Sequence, residues 1–265
     1  MHAFEYHRPG SSKDALALGK KEEAKYLAGG QSLVQAMKLR LSSPSDLIDL
    51  GSLKELSFVK TTKDGVEIGA MTRHADVAHS KDVQKAIPSL AALAGIIGDR
   101  QVRHMGTIGG SLANNDPAAD YPAAVLALGA TITTNKRKIE ADKFFKGLYE
   151  TALEPGELIT SVSFPAPKRG AYMKFKNPAS RFAIVGVFVA DFGGGKVRVG
   201  VTGAGPSAFR QADIEKALGA KFAPDAAASI KVKADGLNND LHASPEYRAQ
   251  LVTVMAKRAV EAALK

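Results

Sequence analysis

Apolar positions recur along the chain at two spacings, and their order predicts a fold that mixes helices and strands. Spacings of three and four residues predict helices over residues 12–18, 33–41, 73–79, 89–97, 122–128, 211–218, 223–231 and 245–263. Short apolar runs predict strands over residues 24–28, 45–50, 56–59, 66–70, 130–134, 138–141, 171–176, 183–191 and 196–202. Ser12 is a candidate cap for the first helix. A cluster of proline and glycine over residues 165–170 predicts a boundary between domains.

The first glycine pair, Gly29 and Gly30, lies between a predicted strand and a predicted helix. Glycine allows a positive φ and lets a ligand approach the backbone closely. The free N–H groups at a helix start favour an anion such as a diphosphate, and Ser32 can add a hydroxyl contact. When this segment is taken alone, a tight strand-to-helix turn without any ligand explains it better than a binding site does.

The second glycine segment contains Thr107, Gly109, Gly110 and Ser111, and Asp116 and Asp120 follow it. A segment with so few apolar side chains is poorly suited to a hydrophobic core. Its small and polar residues suit a loop that lies against a ligand. The alternative is an irregular loop held by Asn and Asp side chains that bond to its own backbone. Two such segments in one chain favour ligand binding.

Other groups give weaker signals. Neither glycine segment is a dinucleotide fingerprint or a phosphate loop, and the third glycine stretch, over residues 200–206, is typical of a turn that leaves a strand. His104 is expected to be structural. Asp116 and Asp120 have no acid–base partner in view, so they are expected to fix the loop and to contact ligand hydroxyls. We predict no catalytic residue in this chain.

Composition narrows the function further. The absence of cysteine excludes a cysteine nucleophile and an iron–sulfur cluster held by this chain, and none of the six histidines forms an i, i+4 pair, so we expect no metal site. A net charge of +9 could indicate nucleic-acid binding, but the chain has no tryptophan, only 6% aromatic residues, and scattered basic residues. We therefore expect no nucleic-acid partner. No apolar run reaches the roughly 20 residues of a transmembrane helix, and no signal peptide is visible, so a cytoplasmic location is the expectation.

The glycine segments also resemble those of a known family. Residues 28–33 (Ala-Gly-Gly-Gln-Ser-Leu) and 37–41 (Met-Lys-Leu-Arg-Leu) resemble the first flavin segment of the FAD-binding subunits of the xanthine dehydrogenase and aerobic carbon monoxide dehydrogenase family. Residues 106–113 and 116–122 resemble the second. The resemblance covers essentially the whole chain and is nearest to the carbon monoxide dehydrogenase-like medium subunits. Ser111 and Asn114 depart from it, because Asn or Asp and His are frequent there.

The resemblance implies an α+β fold of the vanillyl-alcohol-oxidase-like (PCMH) type. It implies two FAD-binding subdomains, over residues 1–54 and 55–168, and a C-terminal domain over residues 169–265 made of an antiparallel sheet with helices. It also implies FAD as the cofactor. The implied cofactor-binding residues are Lys25, Tyr26, Leu27, Ala28, Gly29, Gly30, Gln31, Ser32, Leu33, Ile97, Thr107, Ile108, Gly109, Gly110, Ser111, Asp116, Asp120, Leu158, Ile159, Lys176 and Phe182.

Each implied residue has an expected role. Residues 25–33 would line the diphosphate and the ribityl chain, and residues 107–111 would add further backbone contacts. Asp120 would bind the sugar-like chain or the adenosine side. Leu158 or Ile159 would meet the isoalloxazine through the backbone, and Lys176 would lie near the cofactor. Ile97 would cover the flavin with an apolar side chain and Phe182 with an aromatic one.

Members of this family pass electrons from a molybdenum cofactor through iron–sulfur clusters to FAD. A chain without cysteine cannot hold those clusters. The resemblance therefore implies a large molybdenum-cofactor subunit and a small iron–sulfur subunit as partners, in a dimer of heterotrimers. The alternative is a flavoenzyme that oxidises a small substrate alone, for which no catalytic base is visible.

Overall fold

The computed structural model of the protein describes all 265 residues, which form twelve α-helices and fourteen strands in four sheets. The strands are β1 (Glu5–His7), β2 (Lys25–Leu27), β3 (Asp46–Asp49), β4 (Val59–Thr61), β5 (Gly65–Gly69), β6 (Thr131–Thr134), β7 (Lys138–Glu140), β8 (Phe145–Gly147), β9 (Glu150–Thr151), β10 (Ile159–Pro165), β11 (Arg169–Lys176), β12 (Ala183–Asp191), β13 (Val197–Thr202) and β14 (Phe209–Arg210). The helices are α1 (Ser12–Leu18), α2 (Leu33–Lys38), α3 (His74–His79), α4 (Lys81–Ala86), α5 (Pro88–Gly95), α6 (Arg100–Met105), α7 (Ile108–Asn114), α8 (Tyr121–Leu128), α9 (Ala141–Phe144), α10 (Ala212–Ala220), α11 (Pro224–Ala228) and α12 (Pro245–Ala263).

The first sheet is small and parallel, with the strand order β1-β3-β2. Helix α2 connects β2 to β3, as the strand–turn–helix–strand pattern of the sequence predicts. The prediction that Ser12 caps α1 is wrong, because the side chain of Ser11 accepts the N–H of Asp14 while the Ser12 hydroxyl donates to Glu55. This sheet presents β2 and its following turn at one edge.

Helix α2 ends at Lys38, three residues before the predicted end. Arg40 adopts a left-handed conformation with φ of 59°, and this stops the helix. Of the three apolar residues that predicted the longer helix, only Met37 is buried, while Leu41 is 78% exposed.

The second sheet is antiparallel, with the order β4-β5-β10-β6-β7. Helices α4, α7 and α8 pack against it, and every residue of α8 is buried. The predicted strand over residues 56–59 is wrong, because Lys54–Leu56 forms a 3-10 turn that places Leu56 in the core and β4 begins only at Val59. Helices α4 and α6 were not predicted.

The third sheet is antiparallel, with the order β11-β12-β13-β14. Strand β12 is buried along its whole length because both of its faces are covered. Val185, Val187 and Val189 pack against the C-terminal helices, while Phe188 and Ala190 join the core of the second sheet. This double burial explains why the run is apolar throughout and confirms the prediction that it is buried.

The third sheet is joined to the second by backbone contacts. A Cβ on Gly200 of β13 would stand 2.1 Å from the carbonyl oxygen of Ala123 in α8. The Thr202 hydroxyl donates to the carbonyl oxygens of Pro117 and Ala119, at 3.0 and 2.6 Å. The segment that follows α7 is therefore fastened to the C-terminal sheet. None of the helices combines the length and the apolar character that crossing a bilayer requires.

Candidate functional site

The two glycine segments lie against each other in the structure, although they are far apart in the sequence. A Cβ on Gly29 would stand 2.1 Å from the carbonyl oxygen of Met105 and 2.6 Å from the Cα of Gly106. A Cβ on Gly110 would lie 3.4 Å from the Cβ of Ala28. Glycine is required at position 29 because the two backbones touch there and leave no room for a side chain.

The first segment has a row of free hydrogen-bond donors. None of the six backbone N–H groups of residues 28–33 has an acceptor in the protein. Gly30 adopts φ of 70°, a conformation that favours glycine, and so turns the chain from β2 into α2. Consecutive free N–H groups at such a turn form a concave site suited to an anion. The expectation that this segment can hold a diphosphate fits the geometry.

The second segment differs from what was expected. Residues 108–114 form helix α7, capped by the Thr107 side chain, rather than a loop. The N–H groups of residues 108–111 are bonded to the carbonyl oxygens of Thr72 and Ala70 and to the hydroxyl and carbonyl of Thr107, at 2.8–3.1 Å. These N–H groups already have acceptors in the protein, so contact between them and the cofactor stays a prediction. The Thr107 N–H and the Ser111 hydroxyl keep no protein partner and can still contact a ligand.

Gly109 belongs to the scaffold of this segment. A Cβ on Gly109 would stand 2.6 Å from the Cβ of Ala70, at the end of β5. The side chain of Ile108 is fully buried in the core of the second sheet. These two residues fix α7 to the sheet, and their contact with a cofactor stays a prediction.

Asp116 and Asp120 have different environments. Asp116 is half-buried; its carboxylate accepts the N–H of Ala118 at 2.8 Å and the hydroxyl of Tyr149 at 3.2 Å. This agrees with the expected loop-fixing role. Asp120 is 5% exposed and lies under the surface, beside Lys174. Burial raises the pKa of Asp120, and the Lys174 ammonium opposes that rise.

The remaining predicted contacts are spread around this centre. Ile97 follows α5 and is half-buried, whereas Phe182 lies in the turn between β11 and β12 and is 50% exposed. Lys176 is exposed at the end of β11. Leu158 is buried in the core of the first sheet, and Asn135 occupies both its N–H and its carbonyl oxygen. Backbone contact from Leu158 to a flavin stays a prediction, and its carbonyl oxygen keeps one further lone pair for such a contact.

Ile159 is also buried, at the first position of β10, where it pairs with Thr134 in the second sheet. Lys25, Tyr26 and Leu27 form β2 itself and lead into the row of free donors. The Tyr26 hydroxyl donates to the carbonyl oxygen of Gly156, so it joins β2 to the segment before β10. Gln31 and Ser32 are exposed on the turn.

Comparison with known proteins decides the family. Residues 2–167 match the family model described as the FAD binding domain in molybdopterin dehydrogenase. The chain belongs to this family. The carbon monoxide dehydrogenase medium chain of Afipia carboxidovorans is 36% identical, over 98% of this chain and 96% of the relative. The glyceraldehyde dehydrogenase medium chain of Sulfolobus acidocaldarius is 35% identical, over 97% of this chain and 96% of the relative.

Solved structures agree with the family assignment. A chain of quinoline 2-oxidoreductase from Pseudomonas putida has a TM-score of 0.90 and 29% identity, and the match covers 99% of this chain and 97% of that one. The mixed helix and sheet content confirms the α+β fold of the PCMH type. The boundaries at residues 54 and 168 stay a prediction, although each large sheet lies within one of the three predicted units.

The residues present in this member of the FAD-binding family fit FAD. A dinucleotide needs anion contacts for its diphosphate, and the free N–H groups of residues 28–33 provide them. Its ribose and ribityl hydroxyls need acceptors, and the carboxylates of Asp116 and Asp120 follow α7 directly. FAD is therefore the cofactor that both the family and the first segment support.

The sequence did not reveal four polar residues behind this site: His74, Tyr121, Tyr172 and Lys174. Burial, with a smaller contribution from Arg103, lowers the pKa of His74 to about 4, so its ring is neutral. The ring lies 5.4 Å from that of Tyr121, and the His74 Nδ1 and the Tyr121 hydroxyl are both buried without a partner. Of these four residues, only Lys174 could have been found from the sequence, because alternation along the strand places it on the same face as Tyr172.

Proposed function

We propose that this chain is the FAD-binding electron-transfer subunit of a multi-subunit molybdenum hydroxylase, and so part of an oxidoreductase. The support is the family match together with full-length similarity to medium chains of two dehydrogenases. One structural observation carries the proposal: the free N–H groups of residues 28–33 lie in a turn that is packed directly on the second glycine segment.

In this proposal the first segment binds the FAD diphosphate through its free N–H groups. The hydroxyls of Ser32 and Ser111 and the N–H of Thr107 add contacts from both segments. Asp116 and Asp120 accept hydrogen bonds from the sugar hydroxyls, and Ile97 and Phe182 cover the ring system. Lys176 extends from the end of β11 toward the cofactor. Bound FAD supplies the redox chemistry, receiving electrons and passing them to an acceptor.

The protein's role is to bind and orient the cofactor and to limit its access to water. It contributes no acid–base group to substrate chemistry, and neither aspartate is hydrogen-bonded to an imidazole. Electron entry needs clusters that this cysteine-free chain cannot hold. A small iron–sulfur subunit therefore donates the electrons, and a large molybdenum-cofactor subunit binds the substrate.

We further propose a cytoplasmic dimer of heterotrimers. A cytoplasmic site suits a family whose partner clusters depend on cysteine thiolates, which persist in reducing compartments. The net charge of +9 is available to complement acidic partner surfaces. Medium chains named for carbon monoxide and for glyceraldehyde are about equally similar to this one, at 36% and 35% identity, so the large subunit is where substrate choice is made.

The test is reconstitution of the purified chain with FAD, followed by visible absorbance after desalting. We expect a yellow protein with one FAD per chain. Gly30→Ala strains a backbone position with φ of 70° and should lower FAD retention, whereas Gly10→Ala, where an added Cβ meets nothing within 4 Å, should retain it fully. A wild-type chain that binds no FAD, alone or with its partner subunits, would refute the proposal. Turnover of a small substrate by the isolated chain would instead support a stand-alone flavoenzyme.

A further inference from the structure

One buried lysine connects two of the residues assigned to the flavin site. The Nζ atom of Lys174 lies 3.0 Å from each carboxylate oxygen of Asp120. The same Nζ donates to the carbonyl oxygen of Ile96 at 3.2 Å, next to Ile97. The Lys174 side chain is only 3% exposed. The ammonium of Lys174 therefore contacts both the carboxylate of Asp120, which is predicted to bind cofactor hydroxyls, and the backbone beside Ile97, which is predicted to cover the flavin.

The strand that carries Lys174 explains its direction. Along β11, Ala171, Met173 and Phe175 pack toward the C-terminal helices, whereas Tyr172 packs into the core of the second sheet. Alternation along a strand puts Lys174 on the face of Tyr172. The pairing of β11 with β12 shifts register at its end, and Lys176 beyond that shift is exposed. The interior lysine at this site is thus Lys174.

The carboxylate of Asp120 depends on its donors. A carboxylate offers about four acceptor positions. The Tyr172 hydroxyl bonds to one oxygen of Asp120 at 2.5 Å, and the Lys174 ammonium contacts both oxygens. Acceptor capacity therefore remains for a ligand hydroxyl. Without the ammonium, so buried a carboxyl would take up a proton and lose part of that capacity.

We propose that Lys174 is a positioning residue of the flavin site, which stabilises the carboxylate of Asp120 and aims it at a cofactor hydroxyl while it fixes the Ile96–Ile97 backbone. The inference rests on the proposed function, because it assumes that FAD binds here. The titratable groups that face Asp120 are Lys174 and Tyr172 on β11 and Tyr121 on α8, with the neutral His74 behind Tyr121. Burial, with Asp120 as a smaller cause, holds the pKa of Tyr121 far above its usual value, so Tyr121 does not ionise.

The experiment measures FAD affinity of the full chain between about pH 5 and pH 8. The variants are Lys174→Met and Lys174→Arg, with Lys176→Met as the exposed control. Removing the cation raises the pKa of Asp120 further, so the loss of FAD affinity on acidification should begin at a higher pH in Lys174→Met than in wild type. Below the raised pKa the affinity should fall by up to about tenfold for each pH step of one. Lys176→Met should follow the wild-type profile. Lys174→Arg keeps the cation and should also follow the wild-type profile.

Two more variants separate positioning from folding. Asp120→Asn removes the titrating group. Adding Lys174→Met to this variant should therefore cause no shift in the pH dependence of FAD affinity. Tyr172→Phe removes one donor but no charge, so it serves if Lys174→Met fails to fold. It should weaken FAD binding and move the profile in the same direction by a smaller amount.

The outcomes are distinct from those of the proposed function. A wild-type chain without FAD affinity overturns both statements. A wild-type chain that binds FAD, with Lys174→Met or Tyr172→Phe matching its affinity and its pH profile, overturns only the role of Lys174. If Lys174→Met and Lys174→Arg weaken FAD binding equally and neither shifts the pH profile, Lys174 has only a packing role, and the proposal is also overturned.

Discussion

The contact between Gly29 and the backbone after α6 makes the flavin site sensitive to a single methyl group. In Gly29→Ala the new Cβ would stand 2.1 Å from the carbonyl oxygen of Met105, whereas ordinary contact begins at 3.4 Å. The two glycine segments must then part by about 1.3 Å. Because the obstructing atoms belong to the backbone, no side-chain rotation can relieve the clash.

The expected effect has two parts. Overpacking of this kind lowers the free energy of unfolding by about 1–3 kcal/mol. A shift above 1 Å also breaks at least one hydrogen bond to a diphosphate gripped from both segments. A hydrogen bond to a charged group contributes about 1.5–3 kcal/mol, and every 1.4 kcal/mol is about tenfold in affinity. We therefore expect FAD affinity to fall by about tenfold or more.

The assay is a fluorescence titration of each apo variant with FAD, with a thermal melt of the same samples. Gly110→Ala is the matched control in the second segment, because the nearest atom to its new Cβ is a side-chain atom, the Thr107 hydroxyl at 2.9 Å, and not a backbone atom. It should lose less affinity than Gly29→Ala. If Gly29→Ala melts at a lower temperature but binds FAD like wild type, the diphosphate is not shared between the segments. If it neither loses stability nor weakens binding, the close contact itself is refuted.

Three further predictions concern stability. Thr107→Ala removes the cap of α7 and should lower the free energy of unfolding by about 1 kcal/mol in urea denaturation, whereas Thr107→Ser should not. Burial, and Arg103 to a smaller extent, lowers the pKa of His74 to about 4. Because the unfolded chain takes up this proton at a higher pH than the folded chain, stability should fall between pH 6.5 and 4. Thermal melts of His74→Leu should lack this decrease. Burial raises the pKa of Glu157, but hydrogen bonds, those from Arg137 foremost, outweigh burial and bring the pKa to about 2. The stabilisation from the charged Glu157 is present above pH 4.5 and should be lost as the pH falls to about 2. The free energy of unfolding of Glu157→Gln should therefore depend less on pH in acid.

Long apolar signals made part of the fold predictable from the sequence. Helix α12 occupies the predicted residues because it begins with a serine cap and a proline and carries a continuous apolar face. Strand β12 was predictable because burial on both faces removes every polar position. Helix α6 was missed because none of its residues is buried, so it carries no apolar face. Helix α7 was missed because two glycines open it.

The site was predictable as two segments but not as a set of contacts. The glycines and the free donors of residues 28–33 follow from local sequence, because a strand, a turn and a helix lie within a few residues. The hydrogen bonds made by the first N–H groups of α7 do not follow from local sequence, because their acceptors at Ala70 and Thr72 lie in another part of the chain. The pair of Asp120 and Lys174 joins the start of α8 to β11, so only the folded chain brings the two residues together.

The bare backbone contact between Gly200 and Ala123 bears on how this subunit can recombine with its relatives. The C-terminal sheet is continuous in sequence, yet it has no surface of its own on the side of α8. A chimera that joined residues 1–168 of this chain to the C-terminal part of a relative would have to match a helix and a strand with no side chain between them. Thr202 and its two carbonyl acceptors would have to match as well. We therefore expect crossovers between relatives to be tolerated only when α8 and β13 are exchanged together.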